Sequence, residues 1–224
     1  MIGRRDIASK GLASLAAIVV VCALSAACSS GDGGPAAKGG SASQSPSASK
    51  TASQAAVLSP ELLEGVLPRG INMPLDLGER AVNAWDMSDP SICQSEEWRD
   101  DWCAKAVAVG RGGYTDLESQ EVVVRLISFD EPAAAKALFA GEGTADEVGQ
   151  NPPGDEIDGY EATAPAEGWA GSGFNVRQGA VVVKVEYAWA EGREVPDRLM
   201  DITRMVVERV RQTQSGHNPT ASMR

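Results

Sequence analysis

Histidine is almost missing from this chain, and the single one, His217, sits close to the C-terminus. The part expected to fold therefore has no imidazole for a Ser-His-Asp arrangement, a histidine metal site or a histidine base. Cysteine is scarce too. Of four, Cys22 and Cys28 fall in an N-terminal leader, which leaves Cys93 and Cys103 for everything after it. Their spacing is not C-x-x-C and no third thiol remains to exchange with, so a redox role and thiol catalysis are both set aside. Phenylalanine and tyrosine number only three each, against five tryptophans. No apolar run approaches the roughly 20 residues of a membrane span. What survives for catalysis is carboxylate chemistry, which needs two acids about 5 to 9.5 Å apart. With 31 acidic residues, no pair stands out. The chain is not expected to be an enzyme, and no cofactor is implied.

The N-terminus has Arg4, Arg5 and Lys10 followed by an apolar centre from Leu12 to Leu24. A basic start and a short apolar run are the plan of a secretory signal. The run ends in Leu24-Ser25-Ala26-Ala27-Cys28, which resembles the lipobox of bacterial lipoprotein signals. Residues 1–27 are expected to be removed and Cys28 acylated, with several acyl chains holding the protein where one binds only marginally; the alternative is an uncleaved N-terminal membrane helix, and either way the rest of the chain lies outside the cytoplasm. Val21 before Cys22 is β-branched and makes that cysteine the poorer site. Arg4-Arg5-Asp6-Ile7 also has the look of a twin-arginine signal, although an ordinary basic leader accounts for it.

The formal net charge is −11, and the leader carries three of the basic side chains against one acid, so the mature chain is more acidic still. Such a surface repels nucleic acid and anionic headgroups, which excludes nucleic acid as a partner. It suits solubility, a cationic ligand or a basic protein surface. Residues 29–56 are nearly all Ser, Ala, Gly, Gln, Lys and Pro and bury too little to offset chain entropy. They read as a disordered tether with ends on the order of 30 Å apart. Residues 57–212 are enough for one domain, and 213–224 read as a flexible tail.

Ser59-Pro60-Glu61 is a helix start, with serine as cap and proline at the first helical position. An irregular segment is expected from Pro68 to Asp101. Strands are expected over Ala104–Gly110, Glu121–Phe129 and Ala180–Trp189, with weaker ones at Asp158–Ala164 and Gly168–Arg177 and a tight turn at Gln178-Gly179. Asp130 caps a helix running through Pro132, Ala135 and Phe139 to Gly141. A last helix, Pro196 to about Gln212, puts Leu199, Ile202, Val206 and Val210 on one face. The result is an α+β class: a mainly antiparallel sheet of about five strands backed by helices, with one disulfide.

The segment Cys93-Gln-Ser-Glu-Glu-Trp-Arg-Asp-Asp-Trp-Cys103 is the richest in chemistry. Outside the cytoplasm, two cysteines make one bridge, worth roughly 3 kcal/mol for a loop of about 11 residues. If the loop turns helically, Glu96 and Asp100 lie one turn apart, as do Glu97 and Asp101, and Trp98 stacks over Trp102. Paired acids of this kind can hold Ca²⁺, but the simpler arrangement buries both rings and leaves the acids in water, with Arg99 as counter-charge. Asp155, Glu156 and Asp158 follow a Pro-Pro-Gly turn and lack the spacing of an EF-hand. No metal is assigned. The glycines at Gly110, Gly112 and Gly113, and at Gly168, Gly171 and Gly173, sit between or within strands rather than at a helix start, so they mark turns, bulges or the floor of a pocket under Trp169.

LSPELLEGVLP, the tryptophan-bearing cysteine segment, VVVRLISFDEPAAAKALF as strand into helix, and VVVKVEYAW leading into an amphipathic helix together resemble the PknH-type sensor domain. That domain lies outside actinobacterial serine/threonine kinases and occurs in related lipoproteins. The excess of arginine over lysine and the Ala/Gly richness fit a high-GC bacterium. The resemblance implies an α+β domain with a ligand cleft and no catalysis. The family typically carries two disulfides, whereas this domain can form one. Any signal would pass through a partner.

The expected function is a membrane-anchored, extracytoplasmic ligand-binding or sensor-like domain. Its contacts are the cell membrane, through acyl chains on Cys28, and a small ligand or a protein partner. Trp98, Trp102, Tyr114, Trp169 and Trp189 are the candidate cleft residues, because tryptophan suits half-buried sites with a polar edge. Two other readings remain open: an interaction module that uses the acidic face to assist an envelope complex, and an envelope hydrolase with paired carboxylates.

Overall fold

The computed structural model describes residues 56–95, 97–98, 102–139, 151–163, 165–193 and 197–224. The leader, Cys28, most of the tether, and Glu96, Arg99, Asp100 and Asp101 of the cysteine loop lie outside them. Among the described residues no helix is long and apolar enough to cross a membrane.

Helix α1 (Pro60–Val66) begins at Ser59, whose side chain accepts the Leu62 N–H as the sequence anticipates. Strand β1 (Gly78–Asp86) follows, then β2 (Ala106–Thr115), β3 (Gln120–Phe129), α2 (Pro132–Phe139), β4 (Glu156–Glu161), β5 (Trp169–Gln178), β6 (Val181–Ala190) and α3 (Leu199–Gln214). The strands form one sheet in the order β1-β2-β3-β6-β5-β4, and every pairing is antiparallel.

The α+β class, the antiparallel sheet and the disulfide stand as expected; the sheet has six strands because β1 lies inside the segment read as irregular. Its sequence GERAVNAWD lacks a run of β-branched residues, and it is an edge strand with only Val82 buried. Strand β2 runs to Thr115, past Gly110 where the expected strand ended, so the glycines at 110, 112 and 113 all lie within it. At Gly112 an added Cβ would collide with the Tyr114 ring, which folds back over the glycine. At Gly110 it would press on Leu67 of the α1 connection.

Side-chain alternation separates two clusters, one on each face. On the inner face Val122, Val124, Leu126, Val183, Val185 and Tyr187 pack with Leu63 and Val66 of α1 and with Ile202, Val206 and Val210 of α3. On the outer face Val109, Ile127, Phe129 and Val182 lie under Trp98, Trp102 and Ala135 of α2.

Residues 213–224, expected as a free tail, lie along the domain. Helix α3 runs on to Gln214, and the Met223 N–H then donates to the Asn72 carbonyl at 2.8 Å. The physical reason is a set of partners invisible in the sequence. The Arg209 guanidinium donates to Val66 O, Gly65 O, Ala221 O and Pro219 O, while Gln212 Oε1 accepts the Thr220 and Ala221 N–H groups. Arg224 reaches Met73 O and Gly70 O.

Candidate functional site

The outer face carries chemistry because strand register stacks polar residues into rows. Asn83, Arg111, Arg125, Lys184, Asn175 and Asp158 are direct cross-strand partners in sequence across all six strands. All six project to the side away from α1 and α3, since Val82, Val124, Val183, Val176 and Ile157 beside them belong to or pack on the inner cluster and Gly110 beside Arg111 faces Leu67 and Leu63. One row further along, Glu186 of β6 pairs with Gly173 of β5, and Gly173 with Tyr160 of β4. Gly173 has to be glycine here: an added Cβ would sit 2.5 Å from the Tyr160 ring, which lies across it. That placement carries the Tyr160 hydroxyl to Glu186 Oε1, 3.1 Å away.

A chain of charge runs on from Glu186. Its other oxygen accepts from Arg125 Nη1, and Arg125 Nε lies 3.4 Å from Glu97 Oε1. The same Glu97 oxygen is 2.5 Å from Arg111 Nε, an ion contact without the alignment of a hydrogen bond. Burial disfavours charge on Arg125, but the Glu186 and Glu97 carboxylates outweigh it and raise its pKa above the usual guanidinium value. Burial, with Glu186 second, pushes the Tyr160 phenol far above its ordinary range, so it stays a donor.

Beside this chain is a cavity of about 250 Å³, lined by Leu138 and Phe139 of α2, Asp158 and Tyr160 of β4, Asn175 of β5, and Val182 and Lys184 of β6. One wall is apolar and the other polar. Lys184 and Asp158 make no ion pair with any described residue, and Asn175 Oδ1 is shielded from water without a hydrogen-bond partner. A more open groove of about 310 Å³ lies between Glu161, Ala162 and Thr163 and the Trp169–Gly171 segment.

The five aromatic residues expected in one cleft are distributed over both faces. Trp98 and Trp102 are 4% and 8% exposed and pack edge to face with each other at 6.0 Å, while Trp85 meets Trp98 at 6.2 Å. Tyr114 is fully buried on the inner face and donates to Pro68 O at 2.5 Å. Trp189 is also on the inner face, 5.6 Å from the Tyr187 ring. Only Trp169 borders an open groove, with Gly171 beside it, while Gly173 lies under Tyr160.

The Cys93–Cys103 bridge is present, with Cα atoms 5.7 Å apart. It staples the segment that brings Trp98 and Trp102 onto the outer face. Of the acids weighed as calcium ligands, Glu97 is engaged by Arg111 and Arg125. Asp155 accepts from Arg177 and from the Gly179 N–H, and Glu156 accepts from Arg177. Among the described ones, Asp158 alone lines the cavity. Among the described residues no group of His, Cys, Asp and Glu is placed to hold a metal.

Sequence reading missed Lys184, Asn175, Tyr160, Leu138 and Phe139 as cavity residues. Lys184 was legible as the wetter face of β6, but the neighbours that make it a site come from register.

No family model matches this sequence, and no curated protein is similar to it. Among solved structures, it is similar to the extracellular domain of PknH from Mycobacterium tuberculosis. The similarity covers 70% of this chain and 99% of that one at 13% identity, with a TM-score of 0.47. A likeness at that level carries no conclusion about fold, ligand or activity, and none is drawn from it.

Proposed function

We propose that this chain is a lipid-anchored, extracytoplasmic, non-catalytic binding domain whose ligand occupies the cavity between α2 and strands β4, β5 and β6. The observation that carries this reading is the convergence of Asp158, Tyr160, Asn175 and Lys184 from three strands opposite Leu138 and Phe139. A few placed polar groups against an apolar wall are what small-molecule sites need. The leader ending at Cys28 and the Cys93–Cys103 bridge support the location, since disulfides persist in oxidising compartments.

Native mass spectrometry of the protein extracted gently from its own membranes tests this reading. A bound mass beyond the acyl chains on Cys28, lost when Lys184→Trp fills the cavity, is the expected result. A bare protein, or a mass indifferent to that substitution, overturns it. The net charge of −11 favours a second reading, docking of the acidic surface on a basic partner. Such binding would weaken steeply with ionic strength, and cavity binding would not.

A further inference from the structure

Resting on the reading of the cavity as a binding site, we infer that its ligand is a compact zwitterion with an apolar side group, of the kind a free α-amino acid presents. Lys184, Asn175 and Asp158 are consecutive cross-strand partners, so a cation and an anion flank a neutral amide. With strands about 4.8 Å apart, the two charged residues are rooted roughly 10 Å from each other. Neither is neutralised by a described side chain: Arg125 and Glu186 pair with one another, and Glu156 pairs with Arg177. A ligand carrying both charges completes the row: its carboxylate meets the Lys184 ammonium and its ammonium meets the Asp158 carboxylate.

Asn175 sits between them with an acceptor that nothing satisfies. A terminal amide turns readily about its last torsion, and a buried acceptor without a donor is costly, so an ammonium N–H at this point relieves it. A simple anion would leave Asp158 and Asn175 unanswered, and a simple cation would leave Lys184 so. The remaining wall is Leu138, Phe139 and Val182, which asks for hydrocarbon. A cavity of about 250 Å³ lies at the small end of ligand pockets, which suits a compact molecule.

The test is calorimetric titration of the full chain in detergent with each of the common L-amino acids. The best binder's deaminated acid, its decarboxylated amine and its dipeptide are then titrated alongside. An apolar amino acid should bind, and each analogue lacking one charge should bind at least about tenfold more weakly. A dipeptide binding more tightly than the free amino acid would assign the same chemistry to a peptide end.

Asp158→Asn should abolish the preference over the acid, and Lys184→Met the preference over the amine, with the melting temperature of the unliganded protein unchanged. The inference is overturned if no amino acid or dipeptide binds, if the one-charge analogues bind as well, or if both variants keep the wild-type preferences. A cavity-dependent mass that is not a zwitterion would sink this inference and leave the binding site standing. The absence of any cavity-dependent mass would sink both.

Discussion

Replacing Arg209 with methionine should cost the domain about 2 to 3 kcal/mol and free the C-terminal segment. Arg209 is 4% exposed, and its guanidinium has only carbonyl oxygens for partners: Val66 O at 2.6 Å, Gly65 O at 2.9 Å, Ala221 O at 3.0 Å and Pro219 O at 3.4 Å. Two of these belong to the last turn of α1, where helix carbonyls lack intrahelical donors. Methionine keeps the hydrocarbon length but leaves those oxygens without a donor, at roughly 1 to 3 kcal/mol for each buried acceptor. Relief from burying an uncompensated cation offsets part of that, which sets the net figure. In a domain of this size each kcal/mol moves the melting temperature by about 2 to 4 °C, so the expected fall is about 4 to 12 °C. Calorimetry of the full chain reads the fall, and hydrogen exchange at the Thr220, Ala221 and Met223 amides reads the release. Arg209→Lys should recover little, because an ammonium cannot span four acceptors. A loss below about 1 kcal/mol, with all three amides still protected, would refute the clamp.

The other predictions concern separate parts of the chain. Reducing the Cys93–Cys103 bridge, or replacing both cysteines with serine, should cost about 3 kcal/mol by urea titration and raise the exposure of Trp98 to fluorescence quenchers. An unchanged urea midpoint would mean that the buried tryptophans alone hold the loop. Partial burial pushes the Asp116 carboxyl up, but the Ser119 hydroxyl and the N–H groups of Ser119, Gln120 and Glu118 overcome this and hold it well below the usual range. The folded-state pKa is therefore depressed, and the stabilisation it brings is present above the unfolded value of about 4 and lost as pH falls below it. Wild type should exceed Asp116→Asn in stability at pH 6 by about 1 to 2 kcal/mol and converge with it in acid, whereas a gap independent of pH would contradict the assignment. Cys28→Ala should release the protein into the medium or leave an unprocessed precursor, as fractionation and intact mass would show.

The fold was more legible than the site. Val183, Val185 and Tyr187 alternate with Lys184 and Glu186, and Leu199, Ile202, Val206 and Val210 recur at helical spacing, so β6 and α3 follow from periodicity. Strand β1 escaped because an edge strand buries little and is under no pressure to be apolar. Tryptophan misled for a related reason. The ring has the same composition whether it fills a core or lines a cleft; the spacing of Trp98 and Trp102 allows them to meet, but nothing in the sequence brings Trp85 to them. The cavity residues lie on α2, β4, β5 and β6, and only antiparallel register places Lys184 opposite Asn175 and Asn175 opposite Asp158.

The two faces of the sheet are finished differently, and that difference supports the proposed position of the ligand. The inner face is closed by α1 and α3, with the C-terminal segment laid along the edge through Arg209 and Met223. Its polar groups there are matched, as with Tyr114 to Pro68 and Tyr187 to Gln120. On the outer face the described residues of the cysteine loop and α2 pack their apolar side chains on the end bearing Val109, Ile127 and Val182. The rows beyond that end are occupied by Arg111, Arg125, Glu186 and Tyr160, a charged assembly that is costly unless each member is paired. Glu97, delivered by the disulfide loop, pairs two of its cations, so the bridge at Cys93 and Cys103 supports the polar half of the face as well as the tryptophans. Among the described residues the pairing stops at Lys184, Asn175 and Asp158, and a row satisfied at one end and open at the other is the physical ground for placing the proposed ligand there.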